Sequence, residues 1–115
     1  MDSRVEAVIR VMERSFGRQL SLAVLAKSVN LSPGRLCHLF KAETTVAPLQ
    51  YLRAMRMQNA KRLLETTFLT VKQIMTKVGA SDGSHFVKDF KSAYGLPPAR
   101  FRTALSHHPA EEKRI

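Results

Sequence analysis

Histidine and cysteine are the side chains that most often bind metals or act as nucleophiles, and this chain has four histidines and one cysteine. His38 and His85 stand alone, without acids or cysteines at metal-ligand spacing. His107 and His108 are adjacent and are expected to be solvated. Cys37 has no second cysteine for an internal disulfide or a zinc site, which is typical of a reducing compartment. The sequence therefore predicts no catalytic set, no metal site and no cofactor, and the chain is not expected to be an enzyme.

Basic side chains are the chemical group that the chain has in excess. It has 19 Lys and Arg against 9 Asp and Glu, a formal net charge of +10. The charges are dispersed between apolar residues at helical spacing, which favours a folded basic surface over a disordered arm. The expected partner is a polyanion, with nucleic acid first and an anionic membrane surface second. The membrane is the weaker choice because the apolar sides of the helices are needed for cores.

The sequence shows no segment that approaches the roughly 18 apolar residues of a membrane span. Its first residues also lack the apolar core of a signal peptide. We therefore expect a cytoplasmic, nucleoid-associated protein without a membrane partner.

Apolar residues recur three or four positions apart through most of the chain, which predicts an all-α fold of about seven helices. Ser21 is expected to cap the second helix, and Asn30 to supply the left-handed turn after it. Ser32 and Pro33 provide a cap and a first helical position, so that a third helix follows a three-residue turn. The first part of the chain is therefore predicted to form a helix-turn-helix motif.

A long helix is predicted over 47–66, because apolar residues keep helical spacing there while Arg and Lys take exposed positions. Thr70 and Gln73 have the spacing of a capping box, and Ser81 and Asp82 are expected to begin another helix. A second helix-turn-helix motif is therefore predicted after the long helix.

The second motif repeats the first. One set of residues recurs 49 positions later: Leu22, Leu25, Val29 and Ser32 as Val71, Ile74, Val78 and Ser81. After one inserted residue, a second set recurs 50 positions later: Leu36, Phe40, Lys41, Pro48 and Tyr51 as Phe86, Phe90, Lys91, Pro98 and Phe101. Two copies with a long helix between them do not make a solenoid. We predict one domain, 1–106, with subdomains 4–46 and 70–104, a linker helix 47–66 and a flexible tail 107–115.

The length of the linker helix suggests how two reading helices could be used. A helix of about 20 residues is roughly 30 Å long, and one turn of DNA is about 34 Å. Two reading helices held that far apart are predicted to enter successive major grooves on one face of a duplex. DNA bending, or engagement of one subdomain only, stays an open alternative.

An ordered pattern runs through the chain: Ser21-Leu22, Leu25-Ala26, Leu31 to Pro33, Leu36, Leu39 to Lys41, Glu43-Thr44, Tyr51-Leu52, Arg56, Ala60 to Leu64, Ile74, Val78-Gly79, Ser81-Asp82, Phe86, Phe90-Lys91 and Pro98 to Phe101. Over about residues 4 to 104 the chain resembles the C-terminal DNA-binding domain of the AraC/XylS family of bacterial transcription regulators. The resemblance implies a double helix-turn-helix that binds double-stranded promoter DNA and usually activates transcription through RNA polymerase. Family members usually carry an N-terminal sensor or dimerisation domain, for which this chain has no room, so it is either a fragment or a stand-alone regulator.

Three positions depart from the family pattern. The second motif usually has a small residue and later an aromatic one, where this chain has Met75 and Ala80. We expect Met75 to fill the volume of the aromatic side chain, an exchange that conserves volume. Thr45 replaces the usual glycine after the third helix. Because its branched side chain makes a left-handed turn costly, that loop is expected to be built differently.

The resemblance places base-reading residues on the third and sixth helices: Gly34, Arg35, Cys37 and His38 in the first motif, and Gly83, Ser84, His85, Val87 and Lys88 in the second. By their chemistry, Arg35 and Lys88 can reach guanine O6 and N7, and Val87 can touch a thymine methyl. The glycines read no base themselves. Either they let the helix approach DNA closely or they weaken the set of contacts, and the two interpretations have equal weight.

Phosphates are expected at the starts of the two reading helices, where amide groups follow Ser32 and Ser81. The basic residues expected nearby are Lys41, Arg53, Arg56 and Lys91. A single Lys or Arg is more often merely solvated, but a chain with an excess of +10 presents many of them to DNA. These contacts would position the protein without specifying a sequence.

Two other functions stay open: RNA binding and a cationic protein-interaction module. RNA recognition favours exposed aromatic side chains for base stacking, whereas nearly every Phe and Tyr falls on an apolar side and the chain has no Trp. A protein-interaction module predicts weak, salt-insensitive DNA binding. Cys37 could be a reactive acceptor, as in DNA-repair proteins with a similar domain, but a small polar contact fits its place on the reading helix better. Only duplex DNA binding explains the duplication.

Overall fold

The computed structural model describes residues 1–106. Within that range the chain forms seven α-helices and no strand, which confirms the predicted all-α fold. The helices are α1 Ser3–Ser15, α2 Leu22–Lys27, α3 Pro33–Thr44, α4 Pro48–Thr66, α5 Val71–Lys77, α6 Gly83–Tyr94 and α7 Pro98–Ser106. The predicted tail 107–115, with His107 and His108, lies outside the described residues. A search of residues 1–106 finds no helix with the length and hydropathy of a membrane span.

The chain divides into two compact units, here named unit 1 (residues 1–56) and unit 2 (from residue 57 onward). The boundary falls inside α4. The first half of α4 places Leu52 in the core of unit 1. The buried residues of its second half are Met57, Ala60 and Leu64. The long helix is therefore part of both units rather than a separate linker.

The helices of unit 1 start where their caps predict. The Ser21 hydroxyl accepts a hydrogen bond from the Val24 N–H at 3.1 Å, which caps α2. The Ser32 hydroxyl accepts one from the Arg35 N–H at 3.2 Å, with Pro33 in the first position of α3. The core between the helices consists of Val5, Val8, Met12, Leu25, Ala26, Leu36, Phe40 and Leu52. Burial of one side of α3 fixes which side faces solvent.

Unit 2 contains the predicted capping box. The Gln73 N–H donates to the Thr70 hydroxyl at 3.1 Å, and the Thr70 N–H donates to Gln73 Oε1 at 2.8 Å. Four apolar residues are buried in this part of unit 2: Ile74 in α5, Val78 directly after α5, and Phe86 and Phe90 in α6. α6 is thus held by one side, as α3 is in unit 1.

The internal repeat of the sequence is also a repeat of packing. α3 and α6 are both 12 residues long, and α6 begins 50 positions after α3. Phe40 meets Tyr51 edge-on, with ring centroids 5.4 Å apart and ring planes at 81°. Their equivalents Phe90 and Phe101 lie 5.4 Å apart with planes at 79°. The predicted duplication is therefore confirmed.

The turn inside each motif is built in the same way. Asn30 has a positive φ of 57°, as predicted, and its equivalent Gly79 has one of 81°. One residue later the backbone N–H returns to the preceding helix: Leu31 to the Ala26 carbonyl at 3.0 Å, and Ala80 to the Met75 carbonyl at 2.9 Å. Residues 28–32 separate α2 from α3, so the predicted three-residue turn was too short.

The inserted residue of the repeat precedes the cap of α6. Asp82 caps this helix, because its carboxylate accepts a hydrogen bond from the His85 N–H at 3.1 Å. Asp82 therefore takes the place of Ser32, and Ser81 is the inserted residue. The predicted match of Ser81 to Ser32 is wrong, because both Ser81 and Asp82 are good cap residues and the sequence alone does not choose between them.

The loop after α3 is not built differently, contrary to the expectation for Thr45. Thr45 is left-handed with φ of 70°, and Gly95, its equivalent after α6, has φ of 86°. The N–H of Thr45 donates to the Lys41 carbonyl at 2.9 Å, and that of Gly95 to the Lys91 carbonyl at 2.7 Å. In the same turn, the Thr44 hydroxyl lies within hydrogen-bond distance of the Phe40 and Val46 carbonyl oxygens. These hydrogen bonds hold Thr45 in a conformation that costs a non-glycine residue about 1–3 kcal/mol.

Candidate nucleic-acid interface

α3 presents one side to solvent because its other side is buried. Leu36 and Phe40 are four residues apart and are fully buried in unit 1. The residues predicted to read bases stand around the opposite side: Gly34, Arg35 and His38 are exposed, and Cys37 is half-buried. The structure thus brings the first predicted set to one accessible surface.

α6 repeats this arrangement with different side chains. Phe86 and Phe90 are buried, and the predicted residues of the other side are Ser84, His85, Val87 and Lys88, which are exposed, and Gly83, which is half-buried. By the offset of 50 positions between the helices, His85 stands where α3 has Arg35, and Lys88 stands where it has His38. Both helices therefore present two hydrogen-bond donors at the same positions, with the chemistry exchanged.

The two glycines have different surroundings. A Cβ on Gly34 would meet no atom within 4 Å, so the packing of unit 1 does not require glycine there. A Cβ on Gly83 would stand 3.5 Å from Cε of Met75. The thioether of Met75 thus covers the start of α6. This contact agrees with the hypothesis that Met75 fills the volume of a missing aromatic, which stays a prediction.

An open groove of about 320 Å³ lies beside the α3 surface in unit 1. It is lined by Arg4, Leu31, Gly34, Arg35, His38 and Leu39. Arg4 was not among the predicted residues, since nothing in its spacing separates it from other basic residues of α1. Its guanidinium lies 3.1 Å from a carboxylate oxygen of Asp2, and their hydrogen bond lowers the pKa of the Asp2 carboxyl. Arg4 adds a further cation to the surface that carries Arg35.

Five of the six residues predicted to contact phosphate are exposed: Ser32, Lys41, Arg53, Ser81 and Lys91. Lys41 and Lys91 stand in the last turns of α3 and α6. Each comes eight residues after the first residue of its helix, which is about 12 Å at 1.5 Å per residue, so the prediction that they lie near the helix starts is not met. At the end of a helix a cation also interacts favourably with the helix dipole.

Arg56, the sixth of these residues, has backbone partners. Its Nε donates to the Phe16 carbonyl oxygen at 2.9 Å, and its Nη2 donates to the Arg18 carbonyl oxygen at 2.9 Å. The side chain is half-buried, and the loss of solvation lowers the pKa of its guanidinium. These bonds hold the guanidinium against the loop between α1 and α2, so we remove Arg56 from the set of phosphate contacts. Sequence spacing could not reveal acceptors 40 and 38 residues away.

The starts of the two reading helices differ in charge. α3 is capped by the neutral hydroxyl of Ser32, whereas α6 is capped by the carboxylate of Asp82. The N-terminus of a helix attracts anions, and a carboxylate already there opposes a second anion. The start of α3 is therefore expected to attract a phosphate more strongly than the start of α6, where Asp82 rather than Ser81 is the cap.

Known proteins share this fold. The sequence profile of a family described as a helix-turn-helix domain matches residues 25–104. The arabinose operon regulatory protein of Escherichia coli (strain K12) is 34% identical over 103 residues, which cover 89% of this chain and 35% of that protein. A transcriptional regulator of the AraC-type DNA-binding class from Chromobacterium violaceum has a TM-score of 0.80 at 26% identity, over 89% of this chain and 91% of that one. The chain belongs to the AraC/XylS family.

A second structure resembles this AraC/XylS domain over nearly its whole length. The DNA-binding domain of the global transcriptional factor AdpA, solved with a target DNA, has a TM-score of 0.84 at 27% identity, over 95% of this chain and 98% of that one. The chain spans little more than a third of the length of the curated relatives it matches. It therefore corresponds to the DNA-binding domain of the AraC/XylS family. Because this family consists of transcription regulators, the prediction that the chain is not an enzyme is confirmed.

Proposed function

We propose that this AraC/XylS domain binds a specific site on double-stranded DNA through the exposed sides of α3 and α6, and so regulates the start of transcription. The observation that carries the proposal is the duplicated surface, in which two helices of equal length present donors at equivalent positions. Donors on an exposed helix match the acceptors of the major groove. The net charge of +10 adds attraction to phosphates that does not depend on sequence.

The base contacts follow from the chemistry of each exposed side chain. Arg35 and Lys88 donate to O6 and N7 of guanine, because long cationic side chains reach both acceptors. His38 and His85 donate to single acceptors, and Val87 contacts a thymine methyl group. The remaining members of the reading set are Gly34, Cys37, Gly83 and Ser84.

The phosphate contacts combine a helix start with basic side chains. Amide groups after Ser32 hold one phosphate at the start of α3. Arg4 lines the groove beside that surface and adds a cation to it. Arg53, Lys41 and Lys91 contribute further attraction, each as an exposed cation that releases a counterion on binding.

We further propose that α3 and α6 occupy successive major grooves of an asymmetric site. The length of α4 supports this, because its 19 residues correspond to about 28 Å of helix, close to the roughly 34 Å of one DNA turn. The different side chains of α3 and α6 predict two different half-motifs rather than a palindrome.

Selection from random-sequence duplex DNA, repeated over a salt series, tests the proposal. We expect enrichment of two half-motifs with centres about one helical turn apart, and binding that weakens as salt rises. The matched control is a chain with Arg35→Ala and Lys88→Ala, which should keep its helix content and lose the enrichment. Tighter binding to single-stranded RNA at equal salt, or duplex binding without any enriched sequence, would contradict the proposal.

The whole regulator is proposed to act in the bacterial cytoplasm as an activator that contacts RNA polymerase, together with an N-terminal sensor or dimerisation domain. Support comes from the greater length of the curated relatives, of which this chain spans 35–37%. Transcription with purified RNA polymerase from a promoter that carries the selected site tests the activator role. More transcript in the presence of the whole regulator is expected, and an unchanged or smaller amount of transcript would exclude activation.

A further inference from the structure

Arg102 of α7 makes in unit 2 the kind of contact that Arg56 makes in unit 1. Its Nη2 donates to the Thr67 carbonyl oxygen at 3.1 Å and its Nε to the Leu64 carbonyl oxygen at 3.4 Å. A third bond joins Nη1 to the Leu69 carbonyl oxygen. Arg102 is also half-buried. In each unit, one guanidinium therefore donates to backbone carbonyls of a single segment: two in unit 1 and three in unit 2.

These bonds join the two ends of each helix-turn-helix motif. In unit 1 the acceptors lie between α1 and α2, just before the motif, and Arg56 lies in the helix that follows α3. In unit 2 the acceptors lie between the last turns of α4 and the start of α5, and Arg102 lies in the helix that follows α6. Each arginine thus brackets the pair of helices that includes the reading helix.

The two arginines stand one helical turn apart in the repeat. Arg56 comes eight residues after Pro48, the first residue of α4, whereas Arg102 comes four residues after Pro98, the first residue of α7. Positions four apart lie on the same side of a helix. The position of Arg102 corresponds in unit 1 to Leu52, which is buried. Because the two arginines do not align in the sequence repeat, their shared role emerges only from the hydrogen bonds.

We propose that Arg56 and Arg102 are positioning residues that fix the angle at which α3 and α6 meet DNA. A guanidinium has a rigid plane of donors, so bonds from two of its nitrogens set direction as well as distance. Lysine has the same charge but only a flexible point of donation. Loss of the rigid contact would let α2 and α3, or α5 and α6, turn relative to the rest of their unit. This inference rests on the proposed function, because it concerns how precisely each helix reads DNA.

The test compares Arg56→Lys and Arg102→Lys with the control variants Arg62→Lys and Arg100→Lys. The controls change exposed arginines of the same helices, α4 and α7, and all four variants keep the net charge. The measurement is the ratio of affinity for the selected duplex to affinity for random duplex, well below the melting temperature. We expect this ratio to fall about tenfold in the first two variants and to stay unchanged in the controls. Renewed selection should lose one half-motif with Arg56→Lys and the other with Arg102→Lys.

A lower melting temperature with an unchanged affinity ratio and both half-motifs intact would overturn the proposal, because a purely structural brace gives that result. Loss of the same half-motif in both variants would overturn it as well. If the wild-type chain selects no site, the proposed function fails instead, so the two failures are distinct. If the variants do not fold, a measurement on the wild-type chain tests the contacts instead. In NMR spectra, the Nε–H protons of Arg56 and Arg102 should exchange with water more slowly than those of Arg62 and Arg100, and equal rates would contradict the contacts.

Discussion

Unit 1 and unit 2 bury the same pattern of residues but present different chemistry to solvent. The edge-on pair Phe40 and Tyr51 has the same ring distance as its counterpart in unit 2, 5.4 Å. The exposed donors, however, are exchanged between the reading helices, and the cap of α3 is a hydroxyl where that of α6 is a carboxylate. The two cores require similar side chains in order to pack in the same way, whereas the exposed positions have no such requirement. We therefore expect unit 1, with Arg35 and a neutral cap, to make the stronger DNA contacts.

The largest expected effect is on DNA affinity. Arg35→Ala should weaken binding to the selected duplex about 10- to 100-fold, since a two-acceptor contact with guanine contributes about 1–3 kcal/mol. Lys88→Ala should cost less than about tenfold, because the carboxylate of Asp82 stands at the start of the same helix. Fluorescence anisotropy at fixed salt measures both. The control is Arg14→Ala, which removes one exposed charge from α1. Equal losses of DNA affinity in Arg35→Ala and Lys88→Ala would contradict the expected difference between the two units.

The residues after α3 and α6 give the next largest effect. Gly95→Thr should lower the free energy of unfolding by about 2 kcal/mol, because a branched residue is costly at positive φ, although its Cβ would meet no atom within 4 Å. Thr45→Gly should raise the free energy of unfolding by about 1 kcal/mol, since relief of strain exceeds the extra entropy of glycine in the unfolded chain. Urea denaturation measures both. Thr45→Ala keeps a Cβ and should give less stabilisation than glycine, and the reverse order would exclude strain as the cause.

Met75 offers a smaller effect and a direct test of exchanged volumes. Unit 1 has Ala26 and Leu31 joined by a backbone hydrogen bond, and the equivalent pair in unit 2 is Met75 and Ala80. The large side chain is thus the second residue of the pair in unit 1, Leu31, and the first residue of the pair in unit 2, Met75. Met75→Ala should cost about 1 kcal/mol, because the side chain is only half-buried.

Adding Ala80→Leu to Met75→Ala should recover most of that stability, because the volumes then follow the order of unit 1. Thermal unfolding followed by circular dichroism gives the comparison, and Lys72→Ala is an exposed control on the same helix. Unchanged stability in Met75→Ala, or no recovery in the double variant, would contradict the exchange.

The smallest expected effect comes from exchanging the caps. Asp82→Asn should strengthen DNA binding about two- to fivefold, and Ser32→Asp should weaken it by a similar factor, because only the charge near phosphate changes. Ser, Asn and Asp cap helices about equally well, so stability should move by a few tenths of a kcal/mol at most. Glu13→Gln removes an exposed acid from α1 and serves as the control. Effects of equal sign in Asp82→Asn and Ser32→Asp would show that the cap charge does not matter.

The sequence predicted best what local chemistry decides. The caps at Ser21, Ser32 and Thr70 and the left-handed turn at Asn30 are all found, because each depends on residues within one helical turn. The all-α fold and the duplication followed from the spacing of apolar residues.

The errors of prediction arose where local chemistry allows more than one answer or is overridden. Ser81 and Asp82 can both cap a helix, and only the hydrogen bond to His85 selects Asp82. Thr45 disfavours the left-handed region, yet the bond to the Lys41 carbonyl holds it there. Arg56 has the exposed spacing of a phosphate contact, but its partners are carbonyls far away in sequence. Its role could be found only from the folded chain.

We expect α4 to couple the folding of the two units. Its first half supplies Leu52 to one core, and the buried residues of its second half, Met57, Ala60 and Leu64, repeat the spacing of Val5, Val8 and Met12 in α1. One helix therefore serves as the last helix of the first copy and the first helix of the second. Because helix formation is cooperative, unwinding α4 would remove buried surface from both copies at once. Calorimetry should accordingly show a single transition, and proteolysis within α4 should leave no stable fragment.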